Sequence, residues 1–253
     1  MSRGTRVDIL GVHVSATSPE DVADVTADLV TRGEKGYICV SDVNAILNAS
    51  RSPDLRRIHN DSTLTLPDGM PLVWSGRMAG VRAMQRVCGP DLVPALLAAA
   101  ADHGWRSYFY GGADGVADEM VERLTATVGP FPVAGVMSPP FRALGEEEDE
   151  EIVRAINETR ADIVWVGLGA PKQERWMAEH RARLDAAVLI GVGAAFDIHA
   201  GRVSRAPRWM QRAGLEWSFR LLQEPRRLWR RYAVGIPAFA VGVLRRRPRI
   251  VAG

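Results

Sequence analysis

The feature that most constrains the fold is a repeated order of short β-rich runs and longer helical stretches. Five runs have the length and the aliphatic or aromatic content of buried strands: 37–40, 63–66, 106–110, 162–166 and 187–192. Helical stretches follow most of them, for example 91–104, 117–129 and 146–159. Strands that alternate with helices predict an α/β fold with a mostly parallel sheet covered by helices on both faces.

This alternation ends near residue 201, where the charge also changes sign. Residues 202–253 contain 13 Arg, no Lys and only Glu216 and Glu224 as acids, a net charge of +11. The remaining 19 basic and 28 acidic residues give 1–201 a charge of −9. We therefore divide the chain into an α/β domain, 1–201, and a basic, aromatic-rich helical appendage, 202–253. Such a tail is expected to meet an anionic partner: phosphate, lipid or nucleic acid.

The expected location is the cytoplasm, at the inner face of the cell membrane. Cys39 and Cys88 are too few for a disulfide framework, and the first residues lack an apolar segment of signal-peptide length. The apolar run 232–244 is too short to span a bilayer. Because arginines and Trp residues surround that run, we expect it to lie in the membrane interface; a core-packing helix is the alternative.

Glycine-rich motifs follow four of the predicted strands. In open α/β sheets, ligands bind beyond the carboxyl ends of the strands, where glycines let a ligand approach backbone N–H groups. The glycines in question include Gly69, Gly111, Gly112 and Gly169. These positions predict a cleft for a nucleotide or a sugar phosphate.

Several polar residues lie close to these motifs, each with two readings. Asp68 projects into the cleft or is an ordinary turn aspartate of Pro-Asp-Gly. Asp197 contacts a substrate hydroxyl or caps a helix, and Gln173 hydrogen-bonds a base or sugar or opens the next helix. Arg86 neutralises a phosphate or lies on the surface, ahead of a helix for which Asp91 is the expected cap. The five histidines show no HxxxH or HExxH spacing, and we expect neither a metal nor a cofactor.

Six segments resemble the bacterial WecG/TagA/CpsF glycosyltransferases, in the family's order and over most of the chain. They are DG at 68–69, RVCGPDL at 86–92, YGG at 110–112, GLGAPKQE at 167–174, GVGAAFD at 191–197 and the tail segment 205–232.

The resemblance implies the reaction and its substrates. Members of that family transfer N-acetylmannosamine, or its uronic acid, from a UDP-sugar to undecaprenyl-diphosphate-linked N-acetylglucosamine. It further implies an inverting, metal-independent enzyme with a Rossmann-like fold, whose C-terminal appendage covers the active site at the inner membrane surface. Asp68 would be the general base, Gln173 would line the substrate pocket, and Arg220, Arg227 and Arg230 would bind diphosphate. The oligomeric state is left open, with a homo-oligomer among the options.

One segment departs from the family pattern. Many members carry a Thr-x-Asn turn after the early strand, whereas residues 39–44 read CVSDVN. Asn44 matches the asparagine and is expected to bind substrate, and either Ser41 or Asp42 takes the place of the threonine. The donor sugar therefore stays open.

Two other functions compete with this reading. The run GVGAAF at 191–196 suggests a nucleotide-dependent oxidoreductase, but the third glycine of the dinucleotide fingerprint is missing and the motif lies late in the chain. The Arg/Trp tail suggests a nucleic-acid-binding module. A nucleic-acid-binding function would leave the strand-end glycines without a role. The net negative charge of residues 1–201 would also repel the phosphate backbone of DNA or RNA, so we expect no nucleic-acid partner.

Overall fold

The computed structural model describes residues 4–251, apart from the side chains at positions 212, 227 and 231. The strands are β1 Arg6–Ile9, β2 Val12–Ser15, β3 Gly36–Ser41, β4 Leu64–Pro67, β5 Ser107–Gly111, β6 Val133–Met137, β7 Ile163–Gly167, β8 Val188–Gly191 and β9 Arg249–Val251. The first eight helices are α1 Pro19–Arg32, α2 Val43–Arg51, α3 Pro53–Asp61, α4 Met70–Met78, α5 Gly89–His103, α6 Val116–Val128, α7 Glu146–Glu158 and α8 Lys172–His180. The remaining helices are α9 Ala195–His199, α10 Arg208–Arg212, α11 Glu216–Gln223 and α12 Pro225–Arg245.

These elements form two compact units. The terminal unit contains the described parts of Met1–Ser18, Val40–Cys88 and Ser204–Gly253. The central unit contains Pro19–Cys39 and Gly89–Val203. The appendage predicted for 202–253 thus clusters with early parts of the chain, and the functional boundary at residue 201 stays a prediction.

The main sheet has the strand order β4-β3-β8-β7-β5-β6. In the central unit β3, β8, β7, β5 and β6 pair in parallel. The middle strands are apolar on both faces, and Phe109, Trp165 and Ile190 are completely buried. Buried runs of this kind are typical of parallel sheets covered by helices. The predicted α/β, Rossmann-like fold with a helical C-terminal segment is confirmed.

A second, smaller sheet lies in the terminal unit and has the antiparallel order β2-β1-β9. Leu10 and Gly11, both at positive φ (57° and 92°), join β1 to β2 in a two-residue hairpin turn. Asp8 on β1 accepts a hydrogen bond from Gly11 N at 2.6 Å and another from Arg246 Nη2 at 2.8 Å. The buried Asp8 carboxylate therefore ties the end of α12 to the hairpin.

The five predicted strands correspond to β3, β4, β5, β7 and β8, while β1, β2, β6 and β9 were not predicted. The C-terminal segment is therefore helical only as far as Arg245 and ends in a strand. The cap expected at Asp91 is wrong, because α5 begins at Gly89 and places Asp91 in its first turn.

Candidate active site

Asp68 follows directly on β4, where the strand turns into α4. Its backbone N–H donates to the carbonyl of Ser41, the last residue of β3, at 2.9 Å. The next residue, Gly69, has φ of 121°, which side-chain-bearing residues rarely adopt, and α4 begins at Met70. The Asp-Gly pair thus turns the chain sharply and places the carboxyl group at the carboxyl ends of two adjacent strands.

The pKa of the Asp68 carboxyl group differs from that of an ordinary, solvent-exposed turn aspartate. Although part of the residue is accessible, burial raises its pKa from 3.8 to about 7, opposed first by the positive charge of Arg86. The negative charges of Asp42 and Glu216 raise the pKa further, and Arg220 lowers it. Asp68 therefore exchanges a proton near neutral pH, as expected of a general base or acid.

The charged residues around Asp68 form a group that we call the Asp68 cluster; its members are Asp42, Asp68, Arg86, Arg205, Glu216 and Arg220. Arg86 Nη2 donates to Glu216 Oε2 at 2.5 Å, and Arg205 Nε lies 3.5 Å from Glu216 Oε1. Arg205 Nη2 also contacts Cys88 Sγ at 3.4 Å. Within the described residues, the buried Nε of Arg220 has no hydrogen-bond partner. The predicted Arg86 and Arg220 thus lie close to Asp68, and the cluster can present guanidinium donors to an anion.

The segment that departs from the family pattern also reaches this cluster. Asp42 caps α2, accepting from Ala45 N at 2.9 Å, and its charge acts on Asp68. Ser41 is buried, with Oγ 3.4 Å from His59 Nδ1. Asn44 points toward α12, since a side chain added at Gly235 would come within 4.0 Å of Asn44 Oδ1. Of the two candidates for the threonine position, Asp42 is therefore the one that influences Asp68 electrostatically.

In the central unit, the predicted glycines at the end of β5 meet the end of β7. Gly111 is paired with Gly167, and a Cβ on Gly111 (φ 138°) would lie 2.5 Å from the Gly167 backbone. Gly112 N donates to Gly167 O at 3.1 Å. These glycines are required by the close approach of the two chain segments, whatever they also bind.

Gln173 lies at the ends of β7 and β8 in the same unit. Its amide packs against Gly191 and Gly193, where any Cβ would come within about 3 Å of it, and Gly169 (φ 75°) lies beside Gly193. Gln173 Nε2 donates to Glu174 Oε1 at 3.1 Å. Gln173 Oε1 is buried and, among the described residues, accepts no hydrogen bond. A buried acceptor without a donor is costly, which makes this amide a candidate for binding a ligand.

Three other predicted residues have different surroundings. The capping alternative for Asp197 is wrong, because α9 has its N-cap at Ala194; the charge of Asp197 instead acts on Arg202. Arg230 is exposed and stacks on Trp229, with its guanidinium carbon 5.3 Å from the ring centroid. The side chain of Arg227 lies outside the described part of the structure.

Sequence reasoning missed Glu216 and Arg205 as members of the site. The available signal was that Glu216 is one of two acids in a segment with 13 arginines, a position where a carboxylate has an evident partner. In residues 4–251, no group of three or more His, Cys, Asp or Glu side chains could hold a metal ion.

Comparisons with known proteins identify the family of this chain. The chain is 30% identical over 225 residues to an N-acetylglucosaminyldiphosphoundecaprenol N-acetyl-beta-D-mannosaminyltransferase of Bacillus spizizenii, covering 88% of this chain and 84% of the relative. It is 33% identical over 221 residues to the Bacillus subtilis protein of the same name, covering 84% and 83%. The model of the glycosyl transferase WecG/TagA/CpsF family matches residues 7–251, so this chain belongs to that family of glycosyltransferases.

Proposed function

We propose that this protein transfers N-acetylmannosamine, or a related sugar such as its uronic acid, from a UDP-sugar to polyprenyl-diphosphate-linked N-acetylglucosamine. The names of the two Bacillus relatives support the sugar and the lipid-linked acceptor. Those names also specify a β-linked product, which one displacement on an α-linked UDP-sugar would form. An inverting reaction is therefore proposed.

The observation that carries this proposal is the ionisable, partly buried carboxyl group of Asp68 among arginines. A general base works best when its pKa lies near the working pH, and burial brings the pKa of Asp68 to about 7. We infer that Asp68 takes the proton of the acceptor hydroxyl as that oxygen bonds to the anomeric carbon. The bond from this carbon to UDP breaks on the opposite face, and its electron pair leaves with the diphosphate.

The departing diphosphate needs positive charge, which the Asp68 cluster can supply without a metal. Arg220 offers a buried Nε without a partner in the described part of the chain, and Arg86 contributes a second guanidinium. Arginine forks match phosphate oxygens, and preorganised donors are most effective where charge develops. Arg227 and Arg230 are proposed to bind the lipid-linked diphosphate, as the family resemblance implies.

Residues of the central unit are proposed to bind the donor. Gln173 Oε1 would accept an N–H from the base or an O–H from the sugar, which would satisfy its buried lone pairs. Gly111, Gly112 and Gly169 would let the nucleotide approach the backbone. Asp197, partly accessible on α9, keeps its proposed contact with a substrate hydroxyl.

The terminal unit is proposed to contact the membrane peripherally from the cytoplasmic side. No helix within residues 4–251 is long and apolar enough to cross a membrane. Several large apolar side chains of α10 to α12 are exposed instead: Trp209, Trp217, Leu222, Trp229, Val234, Val241 and Leu244. Exposed Trp and aliphatic residues interleaved with arginines are typical of surfaces that bind anionic bilayers.

The proposed function is tested with a panel of UDP-sugars and a short-chain diphospholipid N-acetylglucosamine acceptor, analysed by mass spectrometry. We expect a disaccharide product from UDP-N-acetylmannosamine or its uronic acid, β-linked by NMR and formed equally well with EDTA. An α-linked product would contradict inversion, and loss of activity with EDTA would contradict metal independence. The UDP-sugar donor would be refuted if no sugar were transferred from any UDP donor. It would also be refuted if NADH, and not UDP, raised the thermal stability of the protein.

A further inference from the structure

Glu216 holds two arginines of the Asp68 cluster at once. Its carboxylate oxygens contact different partners, Arg86 at 2.5 Å and Arg205 at 3.5 Å. The three side chains expose only 18–22% of their surface, so these ion pairs are better shielded from solvent than surface salt bridges. Removing one member of such a group leaves the others with uncompensated charge.

The contact joins separate segments of the terminal unit. Arg86 lies in the loop between α4 and α5, Arg205 precedes α10, and Glu216 is the first residue of α11. Arg220 lies one turn further along α11, and its charge also acts on Asp68. The ion pairs of Glu216 hold the start of α11 in place and therefore also hold Arg220.

The charge of Glu216 has a direct effect on the proposed base. An arginine beside an aspartate favours the ionised form and makes the carboxylate a weaker base. Arg86 exerts this effect on Asp68, while Glu216 opposes it by raising the pKa of Asp68. The Arg86–Glu216 pair is close to neutral overall, so the arginine can stay near Asp68 without neutralising its basicity.

We propose that Glu216 is a positioning residue for Asp68: its two ion pairs hold Arg86 and Arg205 in place within the Asp68 cluster, and its carboxylate offsets the charge of Arg86. This role rests on the proposed function of Asp68 as the general base. It differs from a purely structural ion pair, because it couples the docking of α11 to the chemistry of a residue more than 140 positions earlier in the chain.

The test is the variant Glu216→Gln, which keeps the size and hydrogen-bonding shape of the side chain and removes its charge. The pH dependence of kcat/KM reports the base in the free enzyme. In Glu216→Gln we expect the acidic limb of the kcat/KM–pH profile to move down by about one pH unit. The value of kcat/KM at pH 6, relative to the plateau at high pH, should then rise about fivefold, while the plateau itself falls. The control is Glu224→Gln, which removes the other acid of the tail and should leave the limb where it is.

A second readout does not depend on activity. The Asp68 carboxyl carbon, labelled with ¹³C and assigned by its loss in Asp68→Asn, can be titrated by NMR in the full-length protein. A lower midpoint in Glu216→Gln supports the positioning role, and an unchanged midpoint overturns it. If the unmodified protein transfers no sugar, the proposed function fails, but this titration still decides the role of Glu216. If Glu216→Gln does not fold, the charge of Glu216 is removed in an Arg86→Gln background, where the carboxylate has lost this partner. A lower midpoint in the double variant than in Arg86→Gln supports the role of Glu216, and equal midpoints overturn it.

Discussion

The substitution Asp68→Asn should make the protein more stable and, at the same time, almost inactive. Burial raises the pKa of this carboxyl from 3.8 to about 7, so the folded protein binds the proton more tightly than the unfolded chain does. The carboxyl therefore costs no stability below pH 3.8, and the cost grows as the pH rises to about 7. At 1.36 kcal/mol per pKa unit, the full cost above pH 7 is about 4 kcal/mol.

An asparagine carries no charge to bury, so its stabilising effect must depend on pH. We expect the stability gain of Asp68→Asn to be about 3 kcal/mol larger at pH 8 than at pH 5, because part of the cost is already present at pH 5. For a chain of this size that corresponds to a difference in Tm gain of about 6–12 °C. Thermal melts followed by circular dichroism at both pH values measure it, with the exposed Asp61→Asn as the matched control.

Activity gives the second half of this prediction. Turnover in Asp68→Asn should fall by about 10²–10⁴, whereas kcat/KM of the unmodified protein should be half-maximal near pH 7, the value set by the pKa of Asp68. Equal stability gains at pH 5 and pH 8 would refute the burial of an ionised carboxylate. Near-normal turnover would remove Asp68 from the role of base.

Three further predictions concern other parts of the molecule. Gln173→Ala should raise KM for the UDP-sugar about tenfold with a smaller change in kcat, as measured by initial rates; an unchanged KM would remove Gln173 from the donor site. Trp229→Ala should weaken pelleting with anionic liposomes, whereas Phe141→Ala, also exposed but in the central unit, should not; equal effects would argue against the proposed membrane surface. Asp8→Asn should destabilise the protein by about 1–3 kcal/mol, because Arg246 loses a buried partner; an unchanged denaturant midpoint would contradict this.

The main sheet could be predicted because its middle strands are buried on both faces and therefore read as continuous apolar runs. The strand β6 was missed because it is the edge strand, and its residues 133–137 are partly exposed and include a glycine. The hairpin β1–β2 was missed because its turn is Leu10-Gly11 instead of the usual Asn-Gly or Asp-Gly. The pairing of β9 with β1 joins the two ends of the chain, a distance that local patterns do not cover.

The candidate site was predictable where one residue carries its own signal. Asp68 stands between a strand and a glycine, and Arg86 begins a motif shared with the family, so each could be named from the sequence. The perturbed pKa of Asp68 could not be foreseen, because it depends on burial and on charges from distant segments. Asp42 is such a case: it caps α2 locally, and only the fold brings its charge to Asp68.

The net charge of the tail predicts an anionic partner but says nothing about the role of its two acids. With 13 arginines against Glu216 and Glu224, the segment from 202 onward is expected to meet phosphate, lipid or nucleic acid. In the structure one of its two acids, Glu216, bridges Arg86 and Arg205 and holds both guanidinium groups within the Asp68 cluster. A carboxylate in a segment rich in arginine forms ion pairs readily. Glu216 pairs with Arg86 from an earlier part of the chain, so this acid lies where the basic segment packs against the rest of the terminal unit. Arg220, one turn beyond Glu216 on α11, has a buried Nε without a hydrogen-bond partner among the described residues, which is why we propose it for the diphosphate.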